Sequence, residues 1–213
     1  MKIEGEHIFD GPREEVWKLV RDPDVLMTAI PGSSKLEKLS ETEYEGEINL
    51  RIGPVSGTFS GKLVITNEVP PESCTLNVDG KGAAGFGRGA GDVMLTEIEG
   101  GKTLMKYNGD IQVGGKLAGV GQRMLDSVVK SMFNTGFTAL DSALAARMAA
   151  MAGEEKAADY KAPTEAEFAA SVAKDMMKNS FISTAKGKLI LYVAAIIILI
   201  LIVSLLLSRC GVG

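Results

Sequence analysis

Residues Leu189 to Ser208 read LILYVAAIIILILIVSLLLS, twenty consecutive positions without a charge, a glycine or a proline. At about 1.5 Å per residue, a helix of that length spans roughly 30 Å, the thickness of a hydrocarbon core. A helix that is apolar all round needs an apolar surrounding, and the region before it offers none. The run therefore predicts one transmembrane helix over residues 187–209. It also explains a mean hydropathy of +0.13 in a chain that is 23% charged. MKIEGEHIFDG at the start is unlike a signal peptide, so the expectation is a tail-anchored, single-pass protein. Lys174, Lys178, Lys186 and Lys188 precede the run and only Arg209 follows it. That asymmetry places the N-terminal part on the cytoplasmic side of the cytoplasmic membrane. Cys74 and Cys210 then lie on opposite sides and cannot pair, and no metal cluster is expected. Cys210 stands fourth from the end, but the final glycine and its position beyond the span argue against prenylation.

Before the anchor, a net charge of -4 and a pI near 5.2 argue against nucleic acid as a partner. Lys2 to Phe9 alternate, with Ile3, Gly5, His7 and Phe9 on one side, which is a half-buried strand. DGPREEVWKLVRD then predicts a short helix with Asp10 as N-cap, Pro12 in the first turn and an apolar face of Val16, Trp17, Leu19 and Val20. PDVLMTAI predicts a second helix, stopped at Pro31-Gly32. From Ser34 to Gly114 six strand-like segments follow, separated by Gly, Pro, Ser or Asn turns, with a tight hairpin at Gly100-Gly101. With the first strand they make a seven-stranded, mostly antiparallel sheet. After Gly115 the period becomes helical. Leu117, Val120, Met124, Val128, Phe133, Phe137, Leu140 and Leu144 form one stripe of a helix reaching about Met151. The organisation is a domain over 1–150, a linker over 151–186 and the transmembrane helix over 187–209. Within the linker, Thr164 and Glu167 form a capping box opening a short amphipathic helix. Its Phe168, Val172 and Met176 share one face, suited to a spacer, to anionic lipid or to a partner.

The stretch GKGAAGFGRGAGD, Gly80 to Asp92, satisfies the dinucleotide-binding pattern G-x-G-x-x-G. That pattern has a mechanism only where it opens a helix, whose N-terminus holds the pyrophosphate. Here VMLTEIE follows, setting Val93, Leu95 and Glu97 against Met94, Thr96 and Ile98, so the stretch runs into a strand. Glycines in strands mark strong curvature or a close approach. Gly80, Gly82, Gly85, Gly87, Gly89 and Gly91 should leave room on an inner face, for the long helix or for a ligand.

MKIEGE, AIPG at Ala29 to Gly32, YEGEINLRIGPVSGTFSGKL, GKGAAGFGRGAG and VGGKLAGVGQRMLDSVVKSMF together resemble the G-subunit family of carbon monoxide dehydrogenase, over about the first 147 residues. The element order resembles the helix-grip fold of the START and Bet v 1-like (SRPBCC) superfamily, an α+β fold whose seven-stranded antiparallel sheet wraps a long C-terminal helix. The resemblance implies an accessory protein, not itself an enzyme, that attaches a molybdenum-containing hydroxylase, carbon monoxide dehydrogenase above all, to the membrane. It also implies a hydrophobic ligand between sheet and helix.

Three functions are weighed on that basis. A carrier would bring a respiratory quinone, menaquinone or ubiquinone, to the dehydrogenase and so to the electron-transport chain. No covalently bound cofactor is expected. Burying an isoprenoid tail gains about 0.8 kcal/mol per CH2 in lipid or in protein, so exchange between them is nearly balanced. A flexible linker of 35 to 40 residues reaches roughly 30 to 35 Å. The alternatives are a membrane-docking factor without ligand, and a lipid-binding protein unrelated to the dehydrogenase. An iron site of the two-histidine, one-carboxylate kind needs two histidines, and the chain has only His7. Inward alternation and the helix stripe select the cavity residues Phe59, Leu63, Phe86, Met94, Met105, Met124 and Val128, with Leu26 and Ile30 at a mouth. His7, Tyr107 and Arg123 are the polar candidates to hold a quinone carbonyl.

Overall fold

The alternation at the start does build a strand. In the computed structural model, which describes residues 1–154 and 160–182, β1 is Lys2–Phe9, α1 is Arg13–Leu19 and α2 is Pro23–Ala29. Then come β2 (Ser33–Lys38), β3 (Glu43–Ile52), β4 (Val55–Val69), β5 (Ser73–Gly82), β6 (Gly85–Ile98) and β7 (Lys102–Gly115). The helices α3 (Gln122–Met151) and α4 (Glu165–Ile182) follow. The seven strands form one antiparallel sheet in the order β1-β7-β6-β5-β4-β3-β2, so the first strand returns to pair with the last. From β3 onward each strand is hairpinned to the one before. The turn between β6 and β7 uses Gly100 and Gly101 with φ of +81° and +71°, the left-handed pair that matches strand twist. The α+β fold with a long helix against a seven-stranded antiparallel sheet is thus as expected. The G-x-G-x-x-G match lies on the β5–β6 hairpin.

Two local expectations need correction. Asp10 does not cap α1. Pro12 occupies the N-cap position, without a side-chain hydrogen bond, and the Asp10 carboxylate instead lies 3.4 Å from Lys102 Nζ across the strand ends. Asp10 stands two residues before the N-cap; the Pro12 carbonyl accepts from the N–H groups of Glu15 and Val16 at 3.0 and 3.1 Å, and the proline ring presets φ at the helix start. The long helix also starts later than its apolar stripe. Ala118–Val120 form a separate 3₁₀ turn, and Gly121 at φ +90° breaks it from α3. The second helix behaves as its sequence requires. The Asp22 carboxylate accepts from the backbone N–H of Asp24 at 3.1 Å, and Arg147 of α3 donates to its other oxygen at 3.1 Å.

The densest core lies where α1, α2 and the C-terminal half of α3 meet β1, β7 and β6. Phe9, Val16, Leu19, Leu95, Met105, Leu140 and Leu144 are buried there. Gly11 lets the chain pass close to Leu144, since a Cβ there would lie 3.2 Å from a Leu144 methyl. A second cluster of Tyr44, Ile65 and Cys74 sits under α2, with Leu26 packed against it. The buried Tyr44 hydroxyl donates to the Arg21 carbonyl at 2.8 Å, tying the end of α1 to β3. Residues Met1–Val172 make one compact unit. It therefore includes the first half of α4, where the capping box forms as expected. Thr164 N donates to the Glu167 carboxylate at 2.8 Å, and Glu167 N donates to Thr164 Oγ1 at 3.3 Å.

A second unit begins at Ala173. Among the described residues no helix is long and apolar enough to cross a membrane. The run Leu189 to Ser208 lies outside the described residues.

Leu144 sets the first test. Its removal leaves a hole between Gly11, α1 and the sheet, so Leu144→Ala should cost about 2–5 kcal/mol. Denaturant unfolding followed by circular dichroism should show the midpoint fall; an unchanged midpoint contradicts this placement of the core.

Candidate functional site: the concave face of the sheet

Which side chains face α3 is fixed by four rings. His7 of β1 stacks on Phe137 of α3 at 4.3 Å between centroids, and Tyr107 of β7 stacks on Phe133 at 4.6 Å. Residues alternate across a strand, and the registers carry this facing across the sheet. His7 opposes Met105, which opposes Leu95; Tyr107 opposes Val93, which opposes Cys74. The concave set on β5 is then Cys74, Leu76, Val78 and Gly80, and on β4 it is Ile65, Leu63, Gly61 and Phe59.

Along this face the side chains thin out. Beyond Leu63 and Val78 comes a row in which Gly46, Gly61, Gly80 and Gly87 oppose one another across β3, β4, β5 and β6. Four adjacent strands present bare backbone in register. Above Gly87 an added Cβ would find nothing within 4 Å, and above Gly80 only backbone oxygens at 3.7 and 3.9 Å. Val78, one step along the same face, is 48% exposed. The concave face is therefore open at its centre, between the core at the α1 end and the buried Phe59 and Ile52 at the other. An open, apolar, backbone-floored hollow on the face that also carries aromatic rings, about 20 Å along the strands at Tyr107, is chemically a site for a flat or chain-like hydrophobic molecule.

Its polar groups lie along the aromatic wall. His7 Nε2 is 2.9 and 3.1 Å from the two oxygens of Asp141 on α3, while the ring also meets Phe9 edge-on at 4.7 Å. The tautomer that donates from Nε2 leaves Nδ1 as an acceptor. Tyr107 lies over Gly5, where a Cβ would strike its hydroxyl, and partial burial pushes the phenol up from its ordinary value. Asp141 was not among the expected residues. Its signal was positional, since Phe133, Phe137 and Asp141 follow one another at four-residue steps on one helix face.

The expected cavity residues divide. Phe59 and Leu63 stand on the concave face, Phe59 buried and Leu63 half-buried. Met105 also faces inward but is locked in the core beside Phe9 and Leu95. Leu26 packs against the Tyr44 cluster rather than at an opening, and Ile30 caps the end of α2, half-buried. Met124 sits at the hairpin of β3 and β4, its sulfur 2.8 Å from where a Gly53 Cβ would be. Phe86 and Met94 are corrected: both lie on the convex face, 38% and 56% exposed. Phe86 opposes Gly114 and carries the Arg88 guanidinium over its ring at 5.3 Å, and Met94 opposes Lys106. The odd positions of β6 are the inward ones, and a slip of one residue reverses every side chain. Arg123 is corrected too; it is exposed in the first turn of α3. Val128 is buried, but it lies one turn before Ser131, on the side of α3 that meets α4.

The bare row yields a paired prediction. Gly87→Val fills empty space and adds β-propensity, so thermal unfolding should show an undiminished midpoint. Gly61→Val drives a Cβ to 2.9 Å from the Asp79 carbonyl oxygen and 3.0 Å from Gly80 Cα, and should lower the midpoint. Equal losses from both would mean that the space over Gly87 is occupied. Cys74 supplies a pH test. Burial pushes its thiol up from the ordinary value. Less thiolate is then present in the folded chain at a given pH, so alkylation at mildly alkaline pH should be much slower folded than unfolded. Equal rates would show that the Tyr44 cluster is not closed.

Comparison with known proteins agrees with this geometry. The family model described as the carbon monoxide dehydrogenase G subunit (CoxG) matches residues 5–145. A conserved protein of Geobacillus kaustophilus is 32% identical, with a TM-score of 0.65 over 68% of this chain and 95% of that one. The ZhuI aromatase/cyclase of Streptomyces sp. R1128 is 16% identical, with a TM-score of 0.54 over 72% of this chain and 98% of that one. A START superfamily protein of Mycobacterium smegmatis is 10% identical, with a TM-score of 0.52 over 68% and 97% of the two chains. These last two show a shared fold and nothing more. A search of curated proteins finds no match. On the family model, which covers more than half of its residues, the chain belongs to the carbon monoxide dehydrogenase G-subunit (CoxG) family.

Proposed function

We propose that this protein holds a hydrophobic ligand, a respiratory quinone, on the concave face of its sheet, and attaches a molybdenum-containing carbon monoxide dehydrogenase to the cytoplasmic membrane. The observation that carries the ligand is the open part of the glycine row, over Gly80 and Gly87, beside a half-exposed Val78. A sheet that only packed its helix would fill that row with side chains, because empty apolar space forfeits dispersion contacts. A flat quinone ring fits against bare backbone at Gly80 and Gly87, and the Tyr107 and Phe133 rings lie six residues, about 20 Å, along the strands, within the span of an isoprenoid tail. The dehydrogenase as partner is supported by family membership, and the membrane by the apolar run Leu189 to Ser208 with lysines before it.

The role is binding rather than catalysis. The chain's single histidine is held by Asp141, stacked on Phe137 and met edge-on by Phe9, which fits it to orient a bound group. Transfer of the isoprenoid tail between lipid and protein exchanges one apolar surrounding for another, so loading and release are nearly balanced in free energy.

The test uses residues 1–172, the compact unit, purified from a host that makes respiratory quinones and extracted into organic solvent. Mass spectrometry should recover quinone near one per protein. The Gly80→Leu and Gly87→Leu double variant should remain folded and come out empty. A wild-type domain that is empty and takes up no added quinone contradicts the carrier function. If the full chain still brings the dehydrogenase to membranes, the protein is a docking factor alone.

A further inference from the structure

The segment expected to be a free linker is held to the domain. Tyr160 packs against the main core cluster, and its hydroxyl donates to the Thr135 carbonyl of α3 at 3.4 Å. Ser171 Oγ of α4 is 3.1 Å from Ser131 Oγ of α3, and Ser131 is buried. Phe168 and Val172 on the same side of α4 are 4% and 6% exposed. Ser131 and Thr135 lie on the side of α3 away from the Phe133 and Phe137 rings that meet the sheet. The start of α4 therefore packs on the back of α3. A spacer would need no such contacts, and a helix lying on lipid would leave Phe168 and Val172 uncovered.

We infer that this contact is a clasp that shortens the tether between the domain and the membrane. The inference rests on the apolar run from Leu189 being the anchor, as proposed above. Between Met151 and Leu189 lie 37 residues, about 125 Å at full extension. With the clasp closed the tether starts only after Val172, and α4 continues to Ile182. The remaining reach is then about 15 Å of helix and about 20 Å of extended chain. The clasp cuts the maximum reach to roughly a third and keeps the domain close to the bilayer from which a quinone must be drawn. Opening it releases the longer leash. Phe168, Val172 and the Ser131–Ser171 pair set the balance between the two.

The full chain tests this in lipid nanodiscs, with Cys210→Ser as background. Ser131→Cys with Ser171→Cys should form an intramolecular disulfide under mild oxidation, seen by mass spectrometry. Separately, a donor dye on Glu99→Cys, at the exposed turn between β6 and β7, should transfer energy to acceptor lipids in a narrow distribution. Adding Phe168→Asp and Val172→Asp should lower and broaden that transfer while the far-ultraviolet spectrum of the sheet is kept. A disulfide that does not form, or transfer that ignores the two aspartates, overturns the clasp. A chain that does not associate with the nanodiscs at all overturns the anchor and with it the tether; disulfide formation distinguishes that failure from a clasp that never closes.

Discussion

A sheet of strongly curved strands can close its hydrogen bonds everywhere and still lack the side chains to fill its own hollow. That constraint governs this molecule. The registers place Gly46, Gly61, Gly80 and Gly87 opposite one another on four neighbouring strands, so the backbone pairs fully while the concave face stays bare. Glycine in a strand costs conformational entropy and gives up packing. The loss is offset at the other end of the same face, where Phe9, Leu95, Met105 and Leu144 make a dense core with α1 and α2. The packed ends of the sheet, with Phe59 and Ile52 buried at the second, provide stability, and the stretch over Gly80 and Gly87 provides room.

The long helix links the two halves. Its Phe133, Phe137 and Asp141 meet Tyr107 and His7 along β7 and β1, forming an aromatic wall with one polar pair. Its opposite side takes the start of α4 through Ser131. A ligand in the hollow would thus be felt by the same helix that carries the clasp. The corner where α3 meets α2 is tightly packed, Gly136 allowing a close pass of the Ala29 carbonyl, so the wall stands on a rigid support.

Much of the fold was legible in the sequence because Gly or Pro punctuates the four hairpins from β3 to β7, and because β1 alternates cleanly. The facing of β6 was not. Its inward positions are mostly glycines, which carry no hydrophobic signal, while Phe86 and Met94 on the convex side look like pocket residues by chemistry alone. Asp141 was hidden for a related reason: an acid on a long helix reads as solvent-facing until its strand partner is known. The stripe of Phe168 and Val172 was visible, but the same 3.6-residue period serves a lipid surface and a protein surface equally. Only the contact with Ser131 separates them. Asp10 had the right residue type for a cap but stands two residues too early, since the helix starts at Arg13 after Pro12.

The central claim is that a hydrophobic molecule rests on the glycine row. The most direct measurement is nuclear magnetic resonance of residues 1–172 labelled with ¹⁵N at glycine only, titrated with a short-chain, water-soluble quinone. Saturable shifts of the Gly46, Gly61, Gly80 and Gly87 amides, with Gly114 beneath Phe86 on the convex face unmoved, are the predicted result. Shifts confined to the convex face or to the turn at Gly100-Gly101, or none at all, would contradict it.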